Sequence, residues 1–195
     1  MRLRQAAGPI AERGLDQTKI DDLAAASGIP RATLYYYFAG KEEILAFLLR
    51  DLLSAMADAV TRAAAGAGTA QQRLRAVISA QLQVMAAHPH SCRALLAELG
   101  RAGRMPAIAH AIGEAFHQPV LRLLHDGAQD HSLRTLPDPA VAARTIFGAV
   151  VASGLADLLA ADSLDVSQLT GRVTELILDG VAADPASSRR LPTSR

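Results

Sequence analysis

The chain has 195 residues, of which 50% are hydrophobic and 20% are charged, and its formal net charge is +1. This composition fits one or two small domains with apolar cores and excludes a disordered chain. We find no apolar run of about 18 residues, so we expect no membrane-spanning helix. The N-terminal stretch lacks the apolar segment of a secretory signal. Cys92 is the single cysteine, which excludes an intramolecular disulfide and a cysteine zinc cluster. We therefore expect a cytoplasmic protein.

The first predicted helix ends at a glycine. The stretch 14–17 should terminate it, while Gly8 and Pro9 inside it predict a shortened or kinked start. Thr18 then stands where an N-cap is needed for a second helix over about 19–26.

A tight turn over 27–29 separates the second helix from the third. Gly28 tolerates a left-handed backbone, and Pro30 suits the first turn of a third helix over about 30–37. A further turn precedes a fourth helix that begins near Lys41. The pair of short helices joined by a glycine turn predicts a helix-turn-helix arrangement.

The rest of the chain also has a helical period. Apolar residues repeat every three or four positions in three stretches: Ile44, Leu48, Leu52, Met56, Val60; Leu74, Val77, Ile78, Leu82, Met85; Val173, Leu176, Ile177, Val181. Pro119 should kink the helix around it, and the last two helices should cover about 138–161 and 165–183. We predict an all-α protein with three parts: a helix-turn-helix head at 1–47, a helical body at 48–184 and a disordered tail at 185–195.

Four aromatic residues stand in a row on the predicted third helix. Tyr35, Tyr36 and Tyr37 are the three tyrosines of the chain, and Phe38 follows them. Four consecutive helical residues point in different directions, so a small head cannot bury all of them. We expect Phe38 to turn inward against the fourth helix. The tyrosines would offer rings and hydroxyls to phosphates and to thymine methyl groups.

Charge alone does not predict nucleic-acid binding. Residues 1–50 hold seven Lys or Arg and six Asp or Glu, so the usual basic footprint is absent. The only two lysines, Lys19 and Lys41, both flank the aromatic run. Lys41 lies at the predicted start of a helix, where a phosphate site is readily formed.

A specific series of motifs covers about 45 residues of the head. It comprises Gly14, Thr18, Leu23-Ala24, Gly28-Ile29, Thr33-Leu34-Tyr35-Tyr36-Tyr37-Phe38 and Lys41-Glu42-Glu43-Ile44. This series resembles the N-terminal domain of the TetR-type family of transcriptional repressors. The resemblance implies that Arg31, Ala32 and Thr33 read base edges and that Thr18 and Lys19 touch the DNA backbone. The predicted DNA-binding residues are therefore Thr18, Lys19, Arg31, Ala32, Thr33, Tyr35, Tyr36, Tyr37 and Lys41.

For the body the resemblance implies dimerisation and effector binding. Small residues cluster near its end, namely Gly148, Ala149, Ala152, Ser153, Gly154 and Ala156. In the family the last two helices form a four-helix dimer interface, here about 138–183. A dimer also suits two half-sites of a palindromic operator. The body is rich in aliphatic residues and poor in aromatic ones, which favours an unknown apolar or amphipathic effector that releases the DNA.

We find no pattern of catalytic residues. His110, Glu114 and His117 share one helix face with spacing that could hold a metal. They lie roughly opposite the apolar face of that helix, which favours a solvated stripe. Cys92 is expected to be a small core residue. We therefore predict neither an enzyme, nor a metal site, nor a cofactor.

Two other functions stay open from the sequence. One is a DNA-binding regulator that has no small-molecule effector. The other is an all-α interaction module whose head binds a protein instead of DNA, an alternative that the balanced charge of the head keeps open.

Overall fold

The computed structural model describes residues 2–97, 110–161 and 163–179. Over these residues the chain is helical and has no strand, which confirms the predicted all-α class. The helices, numbered here in chain order, are α1 (Ala7–Gln17), α2 (Ile20–Ser27), α3 (Arg31–Tyr37), α4 (Lys41–Ala64), α5 (Ala70–Ala87), α6 (Pro89–Ala97), α7 (Gln118–Gln129), α8 (Pro139–Ala161) and α9 (Val166–Asp179). A 3-10 turn at Arg2–Ala6 precedes α1, and a π-helical segment at Gly113–His117 precedes α7. The predicted tail lies outside the described residues.

The N-terminal helix accommodates its proline at its start. Pro9 is the third residue of α1, where a backbone N–H has no intrahelical acceptor, so the missing donor costs no hydrogen bond. The 3-10 turn ends at Ala6, directly before α1, so Gly8 and Pro9 fall in the first turn of the α-helix. Gly14 has φ +75°, which ends the regular part of α1 as predicted.

Thr18 does not cap α2, contrary to the prediction. It is 1% exposed, and its hydroxyl lies 2.7 Å from the carbonyl of Gly14 and 3.1 Å from that of Pro9, closing the end of α1. Lys19 occupies the N-cap position of α2 instead, and its N–H donates to Oδ2 of Asp22 at 2.9 Å. This bond, and then the Arg13 guanidinium, hold the pKa of the Asp22 carboxyl below its usual value.

Two apolar clusters share α4. The head cluster contains Ile10, Leu23, Leu34, Ile44 and Leu48 and reaches Leu53 of α4 and Ala94 of α6. The body cluster starts at Leu52 of the same helix and continues through α5, α7, α8 and α9. The boundary predicted between 47 and 48 thus falls inside one continuous helix, and α6 of the body packs on α1 of the head.

The predicted kink at Pro119 takes the form of a widened turn. Pro119 cannot donate to the carbonyl four residues earlier, and the segment directly before it is π-helical. The N–H of Gln118 donates to the carbonyl of Gly113, five residues back. Phe116 in this segment is fully buried in the body cluster.

Helix α8 is long and apolar enough to cross a membrane by length and composition alone. Its mean hydropathy is 1.5 over 18 residues, of which 28% are buried. Arg144 and Asp157 interrupt the apolar sequence of the helix, so it holds no uninterrupted apolar run of about 18 residues. Ile146, Val150 and Leu158 pack into the body cluster, and core helices of soluble proteins pass the same test.

Candidate nucleic-acid interface

The turn between α2 and α3 sets the position of the third helix. Gly28 has φ +63° and ψ +23°, the left-handed conformation that the sequence predicted. Ser27 is buried, and its hydroxyl donates to the carbonyl of Leu23 at 2.7 Å. Pro30 is the N-cap of α3, one position earlier than expected, and its carbonyl accepts from the N–H groups of Thr33 and Leu34.

Helix α3 buries one residue and exposes the other six. Leu34 is 2% exposed and inserts into the head cluster. At 100° per residue, the direction opposite Leu34 falls between Ala32 and Tyr36. Tyr36 is accordingly the most exposed tyrosine at 82%, with Tyr37 at 67% and Tyr35 at 49%. The helix therefore presents a continuous outer face made of residues that the sequence assigned to DNA.

The two outermost tyrosines support each other, while Phe38 joins the head to α4. The rings of Tyr36 and Tyr37 meet edge to face with centroids 4.9 Å apart. Phe38 meets Phe47 of α4 edge to face at 5.7 Å and packs on the head cluster, so it turns inward as predicted. Its burial is partial, because Phe38 lies at the C-cap of α3 and not inside the helix.

Arg31 is the first residue of α3, and three groups hold its guanidinium. Nη1 lies 3.0 and 3.1 Å from the two carboxylate oxygens of Asp21 in α2. Nη2 lies 3.5 Å from the hydroxyl of Tyr35, and the guanidinium carbon is 5.3 Å from the centroid of that ring. The hydrogen bond to Tyr35, and then the negative charge of Asp21, raise the pKa of the Arg31 guanidinium above its usual value. The side chain stays exposed and fixed in direction.

Lys41 closes the same surface from the other side. Its ammonium donates to the carbonyls of Asp16 at 3.0 Å and Thr18 at 3.1 Å, so it caps the end of α1. An ammonium has three protons, which leaves one for a phosphate. The Thr18 side chain is buried and its hydroxyl is directed at the carbonyls of Gly14 and Pro9, so its contact with the DNA backbone stays a prediction.

A shallow cleft brings many of the predicted residues together. It has a volume of about 430 Å³ and is lined by Asp16, Gln17, Thr18, Lys19, Ile20, Asp21, Arg31, Tyr35 and Lys41. Ala32, Thr33, Tyr36 and Tyr37 lie beside it on the exposed turns of α3. Asp21 and Gln17 were missed by the sequence analysis. Asp21 carried a detectable signal, since it stands at the start of α2 and faces the start of α3 in a helix-turn-helix.

The balanced charge of the head has a structural explanation. Arg4 pairs with Asp51 at 2.6 Å, Arg13 with Asp22 at 3.5 Å, and Arg31 with Asp21 at 3.0 Å. Carboxylates of the same chain thus neutralise these three arginines. The arginines can therefore lie at the surface of the head without giving it a net positive charge.

A cavity of about 710 Å³ opens in the body at the end far from the head. Its walls come from α5, α7, α8, α9 and the loop before α8, and include Leu74, Leu124, Leu133, Ile146 and Ile177. Polar groups, among them Arg134 and Thr145, stand at its exposed side. An apolar chamber with polar groups at the entrance fits an amphipathic molecule.

The outer faces of the last two helices are apolar and exposed. Val141, Gly148, Ala152 and Leu159 follow one another at spacings of seven, four and seven along α8, and Leu176 of α9 is 52% exposed. Leu176 was expected on the buried stripe of α9. Gly148 has open space around it, whereas Gly154 faces inward against Met85. The small residues of α8 therefore divide between two faces.

His117 is only partly solvated, which corrects the expectation for the His110–His117 stripe at this residue. Its Nε2 is buried without a hydrogen-bond partner, and its ring meets Phe147 edge to face at 5.1 Å. Burial, and then Arg144, lower the pKa of His117. His110 and Glu114 are exposed, and the described residues contain no cluster able to hold a metal. Cys92 is buried, which raises the pKa of its thiol to about 12 and leaves it a core residue.

Comparison with known proteins identifies the class that this head and body define. Residues 3–47 match the model of bacterial regulatory proteins of the tetR family, and residues 67–154 match a tetracyclin repressor-like C-terminal domain. The chain belongs to the tetR family and is a transcriptional regulator, not an enzyme.

Relatives align over both parts of the chain. The fatty acid metabolism regulator protein of Bacillus subtilis is 23% identical over 173 residues, covering 88% of this chain and 89% of that protein. The repressor KstR2 of Mycobacterium tuberculosis is 47% identical over 51 residues, 26% of each chain. The structure of FadR from Bacillus subtilis in complex with stearoyl-CoA superposes with a TM-score of 0.75 at 22% identity, covering 93% of this chain and 99% of that one.

Proposed function

We propose that the chain binds a palindromic DNA operator as a homodimer, represses transcription there, and is released by an amphipathic small molecule. The observation that carries the DNA part is the outer face of α3. Six of its seven residues are exposed, and Leu34 anchors the helix from behind. The N-terminal residues of such a helix meet base edges in the major groove, which assigns Arg31, Ala32 and Thr33 to bases.

Four of the remaining predicted residues serve the DNA backbone in this proposal. Tyr36 and Tyr37 project furthest from the head, and their hydroxyls can donate to phosphate oxygens. Lys19 at the start of α2 and Lys41 at the start of α4 bring cations to two helix N-termini, where phosphates bind well. A protein that acts on chromosomal DNA in this way works in the cytoplasm of a bacterium.

A second copy of the chain covers the outer faces of α8 and α9 in this proposal. Val141, Leu159 and Leu176 are large apolar residues left 46%, 61% and 52% exposed. Val141 and Leu176 also line the body cavity, so the partner chain would lie at its opening. Small residues between them, such as Gly148 and Ala152, permit close approach of a partner helix. Two-fold pairing of this face gives two heads for two half-sites.

The effector site in this proposal is the cavity of about 710 Å³ in the body. Its volume falls within the range that binds small ligands, and its walls are mainly aliphatic. The relatives support the ligand class: one regulates fatty acid metabolism, one structure contains stearoyl-CoA, and another is described as a ketosteroid regulator. We infer an effector with a long apolar part, such as an acyl thioester.

A physical route connects this cavity with the head. Helix α8 forms one wall of the cavity, and at its other end the carbonyl of Leu158 accepts a hydrogen bond from Arg93 of α6 at 2.5 Å. Helix α6 in turn inserts Ala94 into the head cluster. An effector that prefers one arrangement of α8 can thereby bias the head, provided that it binds the DNA-free state more tightly.

The DNA proposal is tested by selection from a random duplex library with the unmodified protein. We expect enrichment of a palindrome with half-sites about one helical turn apart or a multiple of it. Tyr36→Ala should bind this duplex at least about tenfold more weakly. Enrichment of no sequence, with capture of a protein partner by the head, would favour the interaction module instead.

The effector proposal is tested by thermal shift and by release of the selected duplex. Stearoyl-CoA should raise the melting temperature and release DNA, whereas free CoA should do neither. Ala142→Phe, which fills the cavity wall, should abolish both responses and retain DNA binding; Ala160→Phe, at an exposed position of the same helix, serves as the control. Failure of a broad panel of acyl and steroid compounds would favour a regulator without an effector.

A further inference from the structure

The ion pair between Arg31 and Asp21 stands at the place where the DNA would enter. Arg31 is the first residue of α3, and Asp21 is in the first turn of α2. Their side chains are 58% and 63% exposed, and both line the cleft that also holds Lys19 and Lys41. Exposed pairs of this kind contribute little to stability, so the fold does not require it.

A single donor nitrogen of Arg31 is engaged by the carboxylate. Nη1 lies 3.0 and 3.1 Å from the two carboxylate oxygens of Asp21. An arginine reads guanine with two donors that reach the acceptors O6 and N7 of a neutral base edge. A phosphate also offers paired oxygens, but it carries a negative charge, which the carboxylate of Asp21 repels.

Tyr35 keeps the guanidinium in place when the carboxylate is lost. Its hydroxyl lies 3.5 Å from Nη2 and its ring lies under the guanidinium carbon at 5.3 Å. Arg31 therefore does not need Asp21 to stay extended over α3. The carboxylate has a different consequence, which is to engage Nη1 of Arg31 until another acceptor replaces it.

We propose that Asp21 is a specificity-determining residue: its carboxylate withholds Arg31 from the phosphates of non-specific DNA and yields it to a base with two acceptors, of which guanine is the best fit. The inference rests on the proposed DNA-binding function. The proposal also gives the balanced charge of the head a role. A head without net positive charge has a lower affinity for DNA in general, which leaves the operator as the favoured site.

The test compares Asp21→Asn with the unmodified protein on two duplexes, the one selected from the random library and a shuffled duplex of the same composition. On the shuffled duplex we expect about five- to tenfold tighter binding at low salt. The plot of log affinity against log salt should steepen by about 0.9, the increment for one phosphate contact. On the selected duplex the gain should stay below about twofold, so the specificity ratio falls.

Two controls separate this effect from simple charge removal. Asp58→Asn removes the same charge from an exposed position of α4 in the body. It should change neither the affinity for the selected duplex nor the affinity for the shuffled one. In an Arg31→Ala background, Asp21→Asn should no longer change the specificity ratio, because the carboxylate acts through the guanidinium. Thermal melts of each variant should stay close to that of the unmodified protein.

Several outcomes would overturn the inference. Equal gains on both duplexes would mean that Asp21 only repels phosphate, and loss of affinity on the selected duplex alone would mean that it orients Arg31 for its base. Persistence of the effect without Arg31 would exclude the guanidinium. If the unmodified protein failed to distinguish the duplexes at all, the proposed function itself would fail, a result visible before any variant is compared.

Discussion

Replacing Gly148 by leucine tests whether a second copy of the chain covers the outer face of α8. Inside the subunit, a Cβ at Gly148 would have no heavy atom within 4 Å. The subunit therefore has room for the new side chain, and leucine is a better helix former than glycine. Among the residues that the structure describes none obstructs the new side chain, so the substitution tests for a partner chain.

The expected penalty appears in the dimer alone. Overpacking a close helix contact costs about 1 to 3 kcal/mol, and two-fold symmetry places the substitution at the interface twice. The sum of about 2 to 6 kcal/mol corresponds to dimerisation weakened by roughly 30-fold to 20,000-fold. Sedimentation equilibrium over a concentration series measures it directly, and the melting temperature should lose its dependence on protein concentration.

Gly154→Leu is the matched control on the same helix. Its Cβ would lie 2.6 Å from Cε and 2.9 Å from Sδ of Met85, inside the subunit. The same chemical change should therefore lower the stability of the subunit by about 1 to 3 kcal/mol. The variant should still dimerise, and its melting temperature should still depend on protein concentration. An unmodified protein that is monomeric at micromolar concentration, or a Gly148→Leu variant as dimeric as the original, would refute the proposed interface.

Three further changes test the head and the body. Tyr36→Ala should alter stability by less than about 0.5 kcal/mol yet weaken operator binding about tenfold or more. Phe38 is only partly buried, so Phe38→Ala should lower stability by less than about 3 kcal/mol. Thermal melts and operator titrations in which Tyr36→Ala costs more stability than Phe38→Ala and leaves affinity intact would make the tyrosine a core residue. Lys41→Ala should lower the melting temperature, because two carbonyls lose their cap, and flatten the salt dependence by about one phosphate contact; an unchanged salt slope would leave Lys41 as a cap alone. Gln81→Leu should stabilise the protein by about 1 to 3 kcal/mol, since both polar atoms of this fully buried amide lack partners; a loss of stability in chemical denaturation would mean that a bound molecule satisfies it.

The sequence alone determined the features that depend on neighbouring residues. The period of apolar residues predicted the helical class, Gly14 and Gly28 predicted the turns, and the run around Tyr36 predicted an exposed third helix. Each of these follows from the backbone preference of one residue or from the 3.6-residue repeat, so a short window contains the whole signal. The family resemblance came from the same local windows. The assignment of individual residues to DNA remains a prediction.

Only the tertiary structure decided which side chains face each other across elements. It turned Thr18 inward to bonds with Gly14 and Pro9, and it paired Arg31 with Asp21 across the turn. It also placed Gly154 against Met85 while Gly148 stayed open, although both are small residues six positions apart on one helix. Such outcomes depend on the angle at which two helices pack, which is set by the summed contacts of distant residues and not by any one stretch of sequence.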